Sequence, residues 1–152
     1  MIKLGKLTDY AIAVMGQLAQ EGGETSRSAH YLADKTGVPE PTVAKVLKLL
    51  SKGNLVLSER GAAGGYKLLK PADQISVSEI IMALDGPILI VACADGQKET
   101  CEMWKTCPTK GNWNRVNQAI RSALDGIRMT EMLTASCARS HDFIKDVDVG
   151  SA

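Results

Sequence analysis

The sequence contains no long hydrophobic run, and no window approaches the roughly eighteen apolar residues that a membrane-spanning helix needs. Its opening residues, Met1 to Lys6, lack the apolar stretch of a signal peptide. We therefore expect a cytoplasmic protein with no membrane partner. In that compartment thiols are kept reduced, so clustered cysteines indicate metal or redox chemistry rather than structural disulfides.

The chain also lacks the residue clusters that catalysis needs. It has two isolated histidines, His30 and His141, which we interpret as surface residues. No acid-base or nucleophile constellation accompanies them, so an enzyme is not expected. The glycine-rich stretch from Arg60 to Gly65 matches neither dinucleotide-binding nor P-loop spacing, and it precedes a predicted strand rather than a helix.

Charge is almost balanced overall, at a net +1, but it is unevenly distributed along the chain. Residues 1–70 carry ten Lys and Arg against six Asp and Glu, whereas residues 71–152 carry eight against eleven. The front half is therefore basic and the back half acidic. This asymmetry indicates that the front half is the part that meets a polyanion.

A first helix is predicted from apolar residues that recur at helical spacing between Leu7 and Leu18. Thr8 or Asp9 is placed to cap its start, and Gly22 and Gly23 follow its end.

Two further helices are predicted directly after the first. Ser28 can cap a short second helix, and Gly37 permits a tight turn out of it. Pro39 or Pro41 suits the first turn of a third helix. Apolar residues at helical spacing predict that this helix continues to Leu50. Helix, glycine turn and helix form the outline of a helix-turn-helix.

A β-hairpin is predicted after the third helix, with strands at 55–59 and 66–69. Its glycine-rich loop carries Arg60 near the tip, as expected of a wing. A helix can enter the major groove of DNA while a wing lays an arginine along the backbone or into the minor groove. The predicted DNA-binding residues are Ser28, Pro41, Thr42, Lys45, Lys48, Arg60, Gly61 and Gly64.

The second half of the chain is predicted to begin with a turn at 70–73 and a helix that a Ser76–Glu79 capping box starts. A long helix follows from Asn112, its cap, to Ile127, and a short segment at 130–133 adds another turn. The long helix could close its own core, but we favour dimerisation through it. A homodimer would place two recognition helices about one duplex turn apart and read a palindromic double-stranded DNA operator.

The predicted fold class is therefore mainly α, with a winged helix-turn-helix and a small two-stranded β wing, followed by a cysteine loop and a long dimerisation helix. We divide the chain into a DNA-binding domain at 1–70, a region for the cysteine loop and dimerisation at 71–139, and a weakly ordered tail at 140–152.

Three of the four cysteines, Cys93, Cys101 and Cys107, fall within fifteen residues that are rich in turn formers. Seven residues separate the first two and five the last two, so the close pairs of a structural zinc site are missing. An iron-sulfur cluster on a loop fits better. Its fourth ligand could be another protein residue, a small thiol or water. A zinc-stabilised DNA-binding protein and an iron-sulfur carrier stay open as alternatives.

Four stretches together resemble the IscR/NsrR-type winged-helix regulators: residues 6–11, the wing at 60–68, the helix start at 75–81 and the three-cysteine loop. The resemblance covers residues 1–135. The stretch from Cys101 to Pro108, followed by Asn112 and Trp113, is most similar to the branch that regulates SUF iron-sulfur assembly genes, and the nitric oxide sensing branch is the alternative.

The resemblance implies a 2Fe-2S or 4Fe-4S cluster held by Cys93, Cys101 and Cys107. Some family members place a histidine ligand three residues past the third cysteine, where this chain has Lys110. Others use a carboxylate from the partner subunit's first helix, which corresponds to Asp9. The same resemblance implies that residues 42–48 are the recognition helix and that Arg60 is the wing residue. Cys137 is interpreted as a lone thiol.

Overall fold

The computed structural model describes residues 4–91, 105–109 and 111–134. Within these ranges the chain forms six α-helices, a short 3-10 helix at Ala72–Gln74 and one antiparallel hairpin. The α-helices are α1 (Lys6–Gln20), α2 (Ala29–Thr36), α3 (Glu40–Lys52), α4 (Val77–Asp85), α5 (Trp113–Asp125) and α6 (Met129–Thr134). The strands are β1 (Val56–Glu59) and β2 (Gly65–Leu68). The described part of the chain is thus mainly helical with one hairpin, as predicted.

Local signals in the sequence explain α2 and α3. The Ser28 hydroxyl accepts a hydrogen bond from the Tyr31 amide at 3.1 Å, which confirms the predicted cap of α2. Gly37 ends α2 at a φ of 72°, a left-handed conformation that favours glycine. Pro41 lies in the first turn of α3, where a backbone N–H would have no partner within the helix. The absence of an N–H on proline therefore costs no helical hydrogen bond.

The predicted cap of α1 was wrong. Neither Thr8 nor Asp9 caps the helix, which begins after Gly5 without a capping bond from its own side chains. Instead the Asp85 carboxylate, at the end of α4, accepts hydrogen bonds from the Gly5 amide at 3.2 Å and from the Thr8 hydroxyl at 2.7 Å. The start of α1 is thus held by a residue 77 positions away in sequence, because the start of α1 packs against α4.

The hairpin pairs β1 with β2 in the register Val56 with Leu68 and Glu59 with Gly65. The residues between the strands form the predicted glycine-rich loop. Val56 and Leu68 are buried against the helices, so the base of the hairpin is fixed.

The capping box of α4 is present, since the Ser76 hydroxyl and the Glu79 carboxylate bond each other's backbone amides at 3.2 and 2.9 Å. The predicted cap of α5 is not: Asn112 has helical backbone angles and makes no capping bond with its side chain. Helix α5 spans 13 residues and stops at Asp125, before the predicted Ile127. Helix α6 confirms the predicted extra turn after it.

One hydrophobic core joins both halves of the described chain. Val14, Leu47 and Leu68 from the first half pack in the same cluster as Ile80 and Met129 from the second. On α1, Gly16 leaves only enough room for the Leu133 and Met129 side chains of α6. The division after Lys70 therefore stays a prediction about roles, because the apolar packing runs across it.

None of the helices in the described ranges is long and apolar enough to cross a membrane. The predicted tail at 140–152 lies outside the described residues.

Candidate nucleic-acid interface and cysteine loop

Helix α3 buries one face and exposes the other. Val43, Val46, Leu47 and Leu50 are fully buried, which fixes the rotation of the helix. The opposite face exposes Pro41, Lys45 and Lys48, with Thr42 half-buried beside them. The structure thus brings four of the predicted DNA-binding residues together on one convex surface. Two of them are lysines, whose ammonium groups suit phosphate contacts.

A shallow groove separates this face of α3 from the wing. Its walls are formed by Ala44, Lys48, Ser51, Lys52, Ser58 and Tyr66. Two lysines, one alanine and one serine line it on the helix side, and two strand residues line it on the wing side. A phosphate backbone can follow such a groove while the helix faces the bases.

The loop of the wing exposes Arg60 and needs its glycines for two reasons. Gly61 has a φ of 109°, which L side chains rarely adopt. Gly64 has no room for a side chain, since a Cβ there would lie 2.4 Å from the Glu59 carbonyl oxygen. Lys67 and Glu59 form an ion pair at 2.5 Å across the strands and stabilise the hairpin below the loop.

Ser28 is exposed at the start of α2, but its hydroxyl is already used as the helix cap. Two residues later, His30 Nδ1 lies 2.9 Å from the Glu40 carboxylate at the start of α3. This contact raises the pKa of His30 above its ordinary 6.5, since a charged imidazole is stabilised by the carboxylate. His30 is 82% exposed, in agreement with its interpretation as a surface histidine.

Sequence reasoning missed a polar network behind the wing. The Glu21 carboxylate accepts hydrogen bonds from the Tyr31 hydroxyl at 2.7 Å and from Gln17 Nε2 at 2.8 Å, and it pairs with Arg27. The sequence predicts only the contact between Gln17 and Glu21, because residues four apart are neighbours on a helix. The other partners come from different elements, and no sequence pattern joins them.

Of the predicted metal ligands, the structure describes Cys107 and Asp9. The Cys107 thiol is half-buried and lies 3.3 Å from the Thr109 hydroxyl. Hydrogen bonds from that hydroxyl and from the Thr109 amide lower the pKa of Cys107 below its ordinary 9.0. The thiolate is the form that binds metal, so this environment fits a cluster ligand. Cys93, Cys101 and Lys110 lie outside the described residues, as does Cys137.

Asp9 lies exposed in the first turn of α1. The Asp9 carboxylate makes no capping bond to the start of the helix. Within residues 4–91, 105–109 and 111–134, no three His, Cys, Asp or Glu side chains come together as a metal site. A site that includes Asp9 therefore needs residues from outside these ranges or from a second subunit.

Helix α5 follows the three cysteines in sequence and precedes α6. Its buried Asn117 accepts a hydrogen bond through Oδ1 from the Ile90 amide at 3.2 Å, three residues before Cys93. Its outer face exposes apolar side chains, including Trp113 and Val116, which are 38% and 44% exposed. The helix thus holds the segment around Ile90 and leaves an apolar stripe exposed in the monomer.

The exposed helix face, the groove and the glycine-rich wing define a winged-helix DNA-binding transcription regulator. The chain belongs to the Rrf2 family, described as iron-dependent transcriptional regulators, whose pattern matches residues 4–135. This agrees with the predicted fold class, the predicted resemblance and the expectation that the chain is not an enzyme.

Several relatives share most of the chain. The HTH-type transcriptional regulator IscR of Aliivibrio salmonicida (strain LFI1238) is 32% identical over 133 residues, which cover 87% of this chain and 77% of that protein. The structure of T. potens IscR has 31% identity and a TM-score of 0.63, covering 87% of this chain and 86% of that one. CymR, described as the global cysteine regulator of B. subtilis, has 29% identity and a TM-score of 0.67, covering 90% of this chain and 99% of that one.

Proposed function

We propose that the protein is a homodimeric transcription regulator that senses iron-sulfur cluster status and controls iron-sulfur assembly genes of the SUF or ISC type. The observation that carries the sensing half is the Cys107 thiol, whose pKa Thr109 lowers, in a cysteine-rich segment next to α5. The family description as iron-dependent regulators and the IscR relatives support the same proposal.

In this proposal Cys93, Cys101 and Cys107 supply the thiolates, and Asp9 of the partner subunit supplies the fourth ligand. A bound cluster would contribute redox chemistry and lability toward oxygen or iron limitation. The chain's own part is to position the ligands. Thr109 bonds the Cys107 thiol and lowers its pKa, and Asp85 fixes the first turn of α1, which carries Asp9, through Thr8 and Gly5.

The signal reaches DNA through α5. Ile90 lies three residues before Cys93, and Trp113 begins α5 six residues after Cys107, so both ends of the cysteine segment are attached to this helix. The exposed apolar stripe of α5 supports its role as the dimer contact. A shift of α5 would change the spacing of the two α3 helices, and with it the affinity for a palindromic operator.

On the DNA, Thr42, Lys45 and Lys48 of α3 would face the major groove, and Arg60 would contact the backbone or the minor groove. Ser28, Pro41, Gly61 and Gly64 complete the proposed surface. The lysines supply the affinity that depends on salt, because each neutralised phosphate releases counterions.

The test is to purify the protein anaerobically, record its absorption and electron paramagnetic resonance spectra, and compare binding to cluster-assembly promoters with and without the cluster. Ala at any one of Cys93, Cys101 and Cys107, and Asp9→Ala, should weaken or alter the cluster spectrum. Cys137→Ala is the matched control and should leave it unchanged. Equal affinity and sequence preference in both forms would contradict the proposal.

Two other signals are compatible with the same fold. Nitric oxide is the alternative signal for the cluster, and a change in operator affinity when the cluster-bound protein is exposed to nitric oxide would favour it. The CymR similarity favours a regulator that responds to cysteine metabolism, in which case the purified protein would be colourless. Stoichiometric zinc in that colourless protein would instead indicate a zinc-stabilised regulator.

A further inference from the structure

We propose that Glu21, Arg27 and Tyr31 are positioning residues that set the orientation of the wing on DNA. They are called the wing clamp below. The wing contribution to DNA affinity would then depend on a carboxylate at the end of α1, a guanidinium and a phenol, none of which lies on the exposed face of α3. The inference rests on DNA binding through Arg60 and is independent of the cluster.

The centre of the wing clamp is the Glu21 side chain, which is only 16% exposed. It accepts hydrogen bonds from Tyr31 on α2 and Gln17 on α1, and it forms an ion pair with Arg27. The Tyr31 hydrogen bond is the main reason that the pKa of Glu21 lies below its ordinary value, followed by the Gln17 bond. Charge-assisted bonds from three directions hold this carboxylate in one position.

Arg27 transmits that position to the wing. Its amide donates to the Tyr66 carbonyl at 2.9 Å, and the Tyr66 amide donates to the Arg27 carbonyl at 2.8 Å. Arg27 thereby pairs with β2 on the side away from β1. Gly65 makes this approach possible, because a Cβ there would lie 2.5 Å from the Arg27 carbonyl oxygen.

The Arg27 side chain is also held by contacts with the other residues of the wing clamp. The guanidinium carbon lies 4.9 Å from the centroid of the Tyr31 ring, within the range of a cation-π contact, while Nε pairs with Glu21. Lys35 approaches the same ring, with Nζ at 5.7 Å from the centroid. Tyr31 therefore contacts Arg27 through its ring and Glu21 through its hydroxyl, and it joins α2 to both.

The wing is also attached near the base of the hairpin, where the Leu68 amide donates a hydrogen bond to the Gly23 carbonyl at 2.9 Å. That bond fixes where the hairpin leaves the core. The pairing with Arg27 lies two residues nearer the tip and fixes the direction in which the hairpin points. Releasing the wing clamp should let the hairpin swing about its base and move Arg60 away from a phosphate.

The experiment is a double-mutant cycle between the wing clamp and Arg60, with a fluorescent duplex of random sequence as the probe and affinity measured across a salt series. Glu21→Gln removes the charge that holds Arg27, and Tyr31→Phe removes one hydrogen bond while keeping the ring. We expect each to weaken binding, Glu21→Gln by roughly three- to tenfold, and to lower the salt slope by up to about 0.9, the value for one phosphate contact.

In the Arg60→Ala background the same changes should cost less than about twofold, because the contact that they position is already gone. Lys48→Ala on α3 is the matched control. The fold-loss in DNA affinity of the Lys48→Ala, Glu21→Gln double variant should equal the product of the two single fold-losses. Equal losses with and without Arg60 would mean that the wing clamp acts on stability alone and would overturn the proposal. So would full affinity in both clamp variants, or in Arg60→Ala itself; none of these outcomes bears on the cluster.

Discussion

At the scale of single residues, the environment of Cys107 makes a prediction about its thiol. Thr109→Val removes the hydroxyl that lowers the pKa of Cys107, so that pKa should move back toward 9.0. The shift will be partial, because the Thr109 amide also contributes. Alkylation rates measured against pH, in a chain where Cys107 is the remaining cysteine, report the change. Thr106→Val, at the exposed threonine next to Cys107, is the control and should leave the profile in place.

The His30–Glu40 contact predicts a second titration. The pKa of His30 should lie above 6.5 by NMR and fall toward 6.5 in Glu40→Gln, while Asp34→Asn should lower it less, since Asp34 acts only at a distance. A raised pKa means that the contact stabilises the fold fully below pH 6.5 and loses this effect as pH rises through the folded-state pKa. Both side chains are exposed, so the effect on stability should be small. An unchanged His30 titration in Glu40→Gln would contradict the contact.

Residue-scale predictions from sequence succeeded where the partners are near in the chain. The Ser28 cap, the Gly37 turn and the Ser76–Glu79 capping box each use neighbours within three or four residues. They failed where a distant residue competes. Asp85 takes over the start of α1, and Tyr31 reaches Glu21 across two elements, and neither contact leaves a pattern in the sequence.

At the scale of elements, mutations can test whether Asp85 or Asp9 stabilises the start of α1. Asp85→Ala removes the acceptor of the buried Thr8 hydroxyl and of the Gly5 amide. We expect a loss of about 1–2 kcal/mol in the free energy of unfolding, measured with urea. Asp9→Ala, exposed in the same turn, is the control and should cost less. A larger loss in Asp9→Ala would restore Asp9 as the cap and weaken its candidacy as a ligand.

Element positions were predictable because apolar residues repeat at 3.6 residues in α1 and α3 and because glycines mark the turns. The stripe of α5 was recognised in the same way, but sequence alone could not tell whether its apolar residues face a core or solvent. The structure leaves Trp113 and Val116 partly exposed. Burial of such a stripe depends on the surface that packs against it, and the sequence of one helix does not specify that surface.

At the scale of the whole molecule, the exposed α5 stripe predicts a dimer that a single charge can break. Val116 is 44% exposed in the monomer, so Val116→Asp should leave the fold intact while shifting the mass measured by sedimentation from dimer toward monomer. Affinity for a palindromic duplex should fall more than affinity for a half-site. Gln118→Asp adds the same charge to another exposed position of α5 and should leave the dimer unaffected. A dimer that survives Val116→Asp would place the interface elsewhere.

The cofactor site was harder to predict from the sequence than the DNA-binding surface, and the reason is physical. The surface is built from one helix face and one hairpin, each encoded by a continuous stretch. The site draws on cysteines separated by turn formers and on an acid from the far end of the chain. The spacing of Cys93, Cys101 and Cys107 indicates a cluster, but it carries no information on whether Asp9 lies near them.

The packing of α6 against Gly16 of α1 has a practical consequence for protein engineering. Residues 1–70 cannot be used alone as a DNA-binding domain fused to another protein. Without Ile80 and Met129, cavities would remain in the core. Under the proposed function, a change of signal would have to exchange the segment between α4 and α5 and leave the helices on either side in place. The sensing segment, rather than the DNA-binding half, would then be the part that can be exchanged.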